Sequence, residues 1–319
     1  MTEGRSHAVE SKMLPCVFQQ QGNKQLQTQM TAPSMARVRM RQIAESDLEN
    51  VARLLCDGFS RSTVRDWLTI FDRLTEREPP AKLPKYGYLM EEEGAPVGVV
   101  LVISSTTRSG DTSLTRCNLS SWYVRPPYRS YAPLLIARAL RHKEAVYINV
   151  SPAPHTLPII SVQGFSRYSN GQFFALTRLL RLRSDPRAKV IPVGSADFHT
   201  DSFERELLLR HAEYGCLSFW CNSENGAYPF VFRFRTIKRF IHCAQLIYCR
   251  DREDVVRFAR PIGEYLASHG KQIMMIDANG RIPGLAGIYV SGLLPKYYKG
   301  PVRPRLGDLA FTESAMFGV

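Results

Sequence analysis

The chain has 319 residues, 44% of them hydrophobic and 10% aromatic, with a formal net charge of +13. Such a composition excludes a disordered or fibrous chain, and no apolar run approaches the roughly 18 residues of a transmembrane helix. The length favours two domains of about 140–180 residues each.

The positive charge is diffuse, +7 over residues 1–180 and +6 over residues 181–319. It favours anionic partners such as polyphosphate cofactors, nucleic acid or an acidic surface, without choosing among them. Seven cysteines with no CxxC argue against a disulfide framework and for a reducing, cytoplasmic setting; no metal-ligand spacing stands out. Residues 1–37 lack the apolar core of a secretory signal and are expected to form a flexible extension.

From Val38 to Ile43 apolar and polar residues alternate, predicting a strand; Ser46 or Asp47 then caps a helix carrying Leu48, Val51, Leu54, Leu55 and Phe59. A second helix follows with Val64, Trp67, Ile70, Phe71 and Leu74. Tyr86–Glu92 and Val97–Ser104 predict two strands joined by a Glu93–Pro96 hairpin turn, and Ser113–Val124 predicts a third. A helix from Pro133 to about His142, a strand over Ala145–Val150, a Pro-broken helix through Ile159 and Ile160, and a strand around Gln172–Leu180 complete this half. The order β-α-α-β-β-β-α-β-α-β places an antiparallel meander before one helical crossover, which predicts a mixed α+β sheet.

Leu180–Lys189 is basic and Pro-containing, a plausible joint, so residues 38–182 and 183–319 are expected as two domains. The second half predicts a helix at Glu204–His211, strands at Gly215–Cys221, Tyr228–Arg235 and Ala244–Cys249, and a helix capped by Asp251 that Pro261 should kink or break. A strand at Gln272–Asp277 and a loop at Pro295–Pro304 follow. Arg233 and Arg235 share one strand face, where a solvated surface is the default expectation. This half has the outline of a diverged repeat of the first.

The stretch Ser120–Leu140, SSWYVRPPYRSYAPLLIARAL, ends a strand at Val124, turns through Pro126 and Pro127, and enters a helix at Pro133. Such a strand–turn–helix directs backbone N–H groups and a helix N-terminus at one spot, where an anion is favoured. With Gly164–Phe165 downstream, Val38–Leu180 resembles the GNAT superfamily of acyl-CoA-dependent N-acyltransferases. Aligned on Arg129, the superfamily's glycine positions hold Ala132 and Leu134, with Pro133 between them.

The resemblance implies a tandem GNAT-like fold and acetyl-CoA or another acyl-CoA as co-substrate. The backbone of Trp122, Tyr123 and Val124 would pair with the pantetheine arm. Arg129 and the amides of Ser130, Tyr131 and Ala132 would lie near the pyrophosphate, with Leu134 beside them. It further implies direct acyl transfer to an unidentified amine, or less favourably a hydroxyl, with a base and an acid moving protons.

Superfamily members often carry the base as a Glu on the strand before the phosphate turn, where this chain has Asn118, Ser120 and Ser121. Their usual acid, a Tyr four residues before Gly-Phe, is here Ile160. His155, with Ser151 and Asn118, is the expected replacement, since an imidazole titrates near neutrality. Cys117 is expected as a core residue rather than a nucleophile.

Acidic residues at Asp251, Glu253 and Asp254 would repel a pyrophosphate in the second half, so one CoA site is expected, with the second half completing the acceptor cleft. Tyr297, Tyr298, Lys299, His242, Arg235 and Asp277 could surround an acceptor, or form a solvated loop and structural turn. No nucleic-acid motif and no membrane span is expected, and a homodimer is allowed. A non-catalytic acyl-CoA-binding protein is the first alternative, and a binder of nucleic acid or an anionic surface, motivated by the basic-aromatic run Phe230–Arg239, is the second.

Overall fold

The computed structural model describes residues 38–80, 82–109, 112–179, 187–195, 201–237 and 241–317. The expected N-terminal extension, most of the basic joint and the end of the basic-aromatic run fall outside them. Strand β1 (Val38–Gln42) leads through a 3-10 turn into α1 (Leu48–Gly58), followed by α2 (Val64–Thr75). Helix α2 begins where the Thr63 hydroxyl accepts from the Asp66 N–H and the Asp66 carboxylate accepts from the Thr63 N–H. Such a reciprocal cap contributes about 1 kcal/mol. Val51, Leu54, Leu55, Trp67, Ile70, Phe71 and Leu74 then bury one face of the helix pair against the sheet.

Strands β2 (Gly87–Glu92), β3 (Ala95–Ser109) and β4 (Thr112–Val124) form the antiparallel meander. The β2–β3 turn is only Glu93–Gly94, with φ of 51° and 82°, because Ala95 and Pro96 already pair with Glu92 and Glu91. Two consecutive positive φ values give the turn whose twist matches that of a hairpin. Helix α3 (Ala132–Ala139) crosses over to β5 (Val146–Asn149), which runs parallel to β4; α4 (Leu157–Val162) leads to β6 (Ser166–Leu176). Helix α3 stops three residues short of His142, and β6 starts immediately after Phe165.

The second half runs β7 (Lys189–Pro192), α5 (Ser202–Glu213), β8 (Leu217–Ser223), β9 (Gly226–Ile237), β10 (Ile241–Cys249), α6 (Arg252–Arg257), α7 (Ala259–Ser268), β11 (Ile273–Ala278), β12 (Gly287–Lys299) and α8 (Glu313–Met316). The break between α6 and α7 falls at Phe258, where a continuous helix would press the Pro261 ring into the Arg257 carbonyl.

Residues 295–299, expected as loop, instead belong to β12. Gly292 (φ 74°) and Leu294 (φ 49°) interrupt that strand, and its pairing with β6 shifts between Ser291 and Lys296, which hides the alternation a strand would show.

Among the described residues, the twelve strands form one sheet in the order β1-β2-β3-β4-β5-β12-β6-β11-β10-β9-β8-β7. Exchanging each strand of the first half for its counterpart in the second maps this order onto its own reverse. The two halves are therefore related by a pseudo-two-fold axis between β6 and β12. The last strand of each half has crossed over: β12 pairs with β5, and β6 pairs with β11.

One sheet face carries α1, α2, α5 and the segment from Asp308 to Phe317; the other carries α3, α4, α6 and α7. At the centre, the buried ammonium of Lys296 donates to Asp277 Oδ1 at 2.6 Å, and Gln172 Nε2 donates to the same oxygen at 2.7 Å.

Candidate active site at the β4–β5 divergence

Parallel pairing between β4 and β5 covers only Arg116–Asn118 opposite Val146–Ile148. Beyond Asn118 the two strands part, and β4 continues to Val124 paired with β3 alone. A bulge sets Ser121 and Trp122 together opposite Val100, with Ser121 at φ 45°. The bulge re-aims the β4 edge facing the opening, whose backbone groups are free to pair with an extended ligand. Two further polar groups at this strand end are buried without a hydrogen-bond partner: the side-chain amide of Asn118, at both Oδ1 and Nδ2, and Trp122 Nε1.

Past Val124 the chain makes a 3-10 turn, Pro126–Tyr131, that runs straight into α3. Two N-terminal prolines and Pro133 offer no N–H, and the Ala132 N–H is already bonded to the Arg129 carbonyl. The turn carries two exposed cations, Arg129 and Arg125, the latter 3.1 Å from Asp57. Leu134 is 46% exposed at the first turn of α3. An open strand edge, orphaned polar groups and arginines at the turn are the kinds of group that would hold an acyl-CoA, with Arg125 and Arg129 as the cations nearest the turn in sequence.

A carboxylate enters this opening from far along the chain. Glu313, on the short α8, accepts the Ser120 hydroxyl at Oε2 and the Ser151 hydroxyl at Oε1, so one carboxylate joins β4 to the residues just after β5. Glu313 is 3% exposed. Burial raises its pKa above the ordinary glutamate value, opposed by the two hydroxyls and by the charges of Arg235 and Lys296. A buried carboxylate whose pKa is raised and which two hydroxyls hold in place is a candidate for proton transfer.

The segment bearing Glu313 is pinned on both sides. Arg116 pairs with Asp308 at 3.1 Å and donates to the Asp308 and Ala310 carbonyls. Despite burial, Arg116 and Arg305 hold the Asp308 carboxyl below its usual range. Arg233 donates to the Tyr214 and Ala315 carbonyls, and Arg73 to that of Met316. Arg233 therefore does not lie on a solvated face, and Arg235 beside it is half-buried and bonded to Gln245 Oε1 at 3.0 Å.

The corresponding divergence in the second half is filled by the chain itself. Strands β10 and β11 pair only over Cys243–Gln245. Beyond, the Leu309 N–H donates to the Ile247 carbonyl at 2.7 Å and the Cys249 N–H to the Gly307 carbonyl at 3.0 Å.

Of the residues expected to do chemistry, Ser151 meets Glu313, and Asn118 lies buried on β4 two positions before Ser120. His155 lies on the turn after β5, where burial and the charge of Arg129 lower its pKa. Cys117 is buried and its thiol is pushed up to about 12, leaving it unreactive. Ile160 sits in the core beside Phe165. Tyr297 and Tyr298 are strand residues of β12, Lys299 donates to the Gln163 carbonyl, and His242 contacts Thr236 at the surface. Among the described residues no cluster of three metal-ligating side chains occurs, and no helix is long and apolar enough to cross a membrane.

Glu313 and Ser120 were missed as a pair because 193 positions separate them. A signal was present: one carboxylate within the apolar run LAFTESAMF is a buried-acid pattern.

No protein-family profile and no curated protein matches the sequence. Solved structures do match by shape. A GCN5-related N-acetyltransferase from Anabaena variabilis aligns over 82% of this chain and 72% of its own, at 10% identity and TM-score 0.55. A Pyrococcus horikoshii protein assigned as an acetyltransferase aligns over 90% and 97%, at 12% identity and TM-score 0.53. The fold is GNAT-like. A Kribbella flavida GCN5-related N-acetyltransferase adds a match over 82% and 70%, at 13% identity and TM-score 0.51. An alignment over 90% of the chain spans both halves, in keeping with the tandem arrangement that the strand order shows.

Proposed function

We propose that the chain is an acyl-CoA-dependent N-acyltransferase with one active site, at the β4–β5 divergence, working in a reducing cytoplasm where its six described cysteines stay free. The observation that carries this reading is the Glu313 carboxylate held between Ser120 and Ser151 at that divergence. It supplies the acid–base group that β4 itself lacks.

In the proposed reaction the pantetheine arm pairs with the β4 edge at Trp122–Val124, and the pyrophosphate lies by Arg129, Ser130, Tyr131, Ala132 and Leu134. Glu313 takes a proton from the acceptor amine, directly or through the Ser120 or Ser151 hydroxyl. The amine nitrogen bonds to the acyl carbon, the carbon–sulfur bond breaks, and the electron pair leaves on sulfur. A thiolate of ordinary pKa near 8.5 is a good enough leaving group to take its proton from water, so Ile160 in place of a tyrosine is tolerated. Positioning supplies the rest of the rate.

The test is mass spectrometry of CoA species co-purifying with the protein, with thermal shifts on adding acetyl-CoA and longer acyl-CoAs, and Arg129→Glu as control. Bound CoA and a shift that the control weakens support the reading. No bound CoA and no shift with any acyl-CoA overturn it. Tight binding without thiol release across an amine panel would favour the non-catalytic binding protein, to which Ile160 lends its weight.

A further inference from the structure

The parallel pairing of β4 with β5 has two ends. The candidate active site lies past Asn118; at the other end, beside the Arg116–Val146 rung, the chain encloses a cavity of about 70 Å³. Its wall combines Thr107 and Arg108 of β3, Arg116 of β4, and the returning stretch that carries Arg303, Arg305 and Asp308. Such a volume takes a few waters or one tetrahedral oxyanion, not the whole of a nucleotide.

Four arginines line this cavity, and Asp308 is the one carboxylate among the lining residues. Its Oδ1 faces Arg116 at 3.1 Å and accepts the Ala310 N–H at 3.2 Å; its Oδ2 accepts the Thr107 hydroxyl at 3.2 Å and lies 3.5 Å from Arg305. One negative charge thus serves two guanidinium groups, with Asp251 adding only a longer-range attraction to Arg305. Arg108 pairs with Asp201, outside the lining. Arg303 is exposed, donates to the neutral Tyr168 carbonyl at 3.3 Å, and among the described residues forms no ion pair.

The cations are held in place by other contacts. Arg305 lies 5.0 Å from the centroid of the Tyr248 ring and donates to the Cys249 carbonyl at 2.5 Å, and Arg108 lies 4.8 Å from the centroid of the Phe203 ring. Arg116 is buried and donates to the Asp308 and Ala310 carbonyls. Side chains already fixed in this way lose little freedom when a ligand arrives, which distinguishes a binding pocket from a solvated cluster of charges.

We propose that this cavity binds a phosphoryl group, as inorganic phosphate or as the phosphate of a small ester, with Arg303, Arg305 and Arg108 as its donors. A phosphate is favoured over a carboxylate because the donors come from separate stretches of chain: a tetrahedral dianion offers oxygens in several directions, whereas a carboxylate presents two in one plane. An anion there ties β3 to the stretch that runs on to Glu313. The site is separate from the Arg125–Arg129 turn and stands whether or not the chain transfers acyl groups.

The experiment titrates the full chain with sodium phosphate and, in parallel, with glycerol phosphate, each against sodium chloride at equal ionic strength, and reads Tm. A saturable rise is expected from at least one of the two; a lower midpoint for the ester assigns the site to a phosphorylated small molecule, a lower one for phosphate to the free ion. Arg303→Ala should raise the midpoint concentration at least about tenfold, the worth of the charge-assisted bonds removed. Arg129→Glu removes more positive charge from the chain but lies at the other site, so it should leave the midpoint unchanged. No saturable rise beyond that of chloride would overturn the inference, as would an equal response of Arg303→Ala and wild type, or a response lost in Arg129→Glu. Should Arg303→Ala not fold, Arg108→Ala makes the same comparison.

Discussion

His211 holds Phe311 by its backbone: the imidazole Nε2 accepts the Phe311 N–H at 3.0 Å, while Nδ1–H donates to the Leu207 carbonyl at 2.7 Å. Phe311 has φ 52°, a left-handed conformation that costs a bulky residue on the order of 1 kcal/mol and persists only where its surroundings impose it. The bond lies two residues before Glu313, so the position of the proposed base depends on a neutral histidine.

Burial depresses the His211 pKa to about 4. A depressed folded-state value means that the stabilisation is full above the ordinary pKa of about 6.5 and is lost as pH falls toward 4. Once protonated, Nε2 donates and the Phe311 bond is gone. Hydrogen exchange corrected for intrinsic rates should therefore show the Phe311 amide losing protection as pH falls through about 4 and below, while β3 amides stay protected. Full protection of Phe311 well below that value would contradict this account.

Glu313→Gln should lower kcat by about 10²–10⁴-fold, the usual worth of a positioned base. It should also change stability with a definite sign. Burial raises the folded-state pKa, so protonated Glu313 stabilises the native state at low pH, and that contribution fades as pH rises through the folded value. Glutamine does not titrate. In urea titrations from pH 4 to 8 the variant should thus gain stability relative to wild type as pH rises, and a parallel pair of curves would argue against a buried titrating carboxyl.

The helices and the first-half strands were open to sequence reasoning because each is specified by neighbours in the chain: the Thr63–Asp66 cap, the apolar stripe of α2, the Glu93–Gly94 turn. Strand β12 was not, since Gly292, Leu294 and Pro295 interrupt its alternation and its partners, β5 and β6, lie more than a hundred residues upstream. The site divides the same way. Asn118 could be proposed from its place on the strand before the Pro126–Pro127 turn and Ser151 from the Pro-rich bend after β5, whereas Glu313 and the burial of Arg233 depend on the Asp308–Phe317 segment folding back across both halves. Long-range pairing leaves no local pattern.

Calorimetric titration with CoA should give one molecule per chain. The second divergent edge, at Ile247 and Cys249, is already paired with Leu309 and Gly307. Two equivalent sites would show that this segment yields to ligand.

Asp277→Asn should cost about 3–5 kcal/mol, because it leaves the Lys296 ammonium buried without a counter-charge. Asp277→Leu combined with Lys296→Met should recover most of that loss, as apolar pairs often replace buried ion pairs without penalty. Denaturant midpoints of the single and double variants provide the comparison; additive losses would show that the two groups act independently.

The crossing of β12 into the first half also orders events during synthesis. Until residues 297–299 have left the ribosome, β5 has no neighbour on the side away from β4, and the acidic group at position 313 emerges later still. A nascent chain can pair the strands of the meander early, but its proposed reaction centre stays unfinished until residue 313 has emerged, so a ribosome stalled near residue 290 would hold a chain without its proposed base.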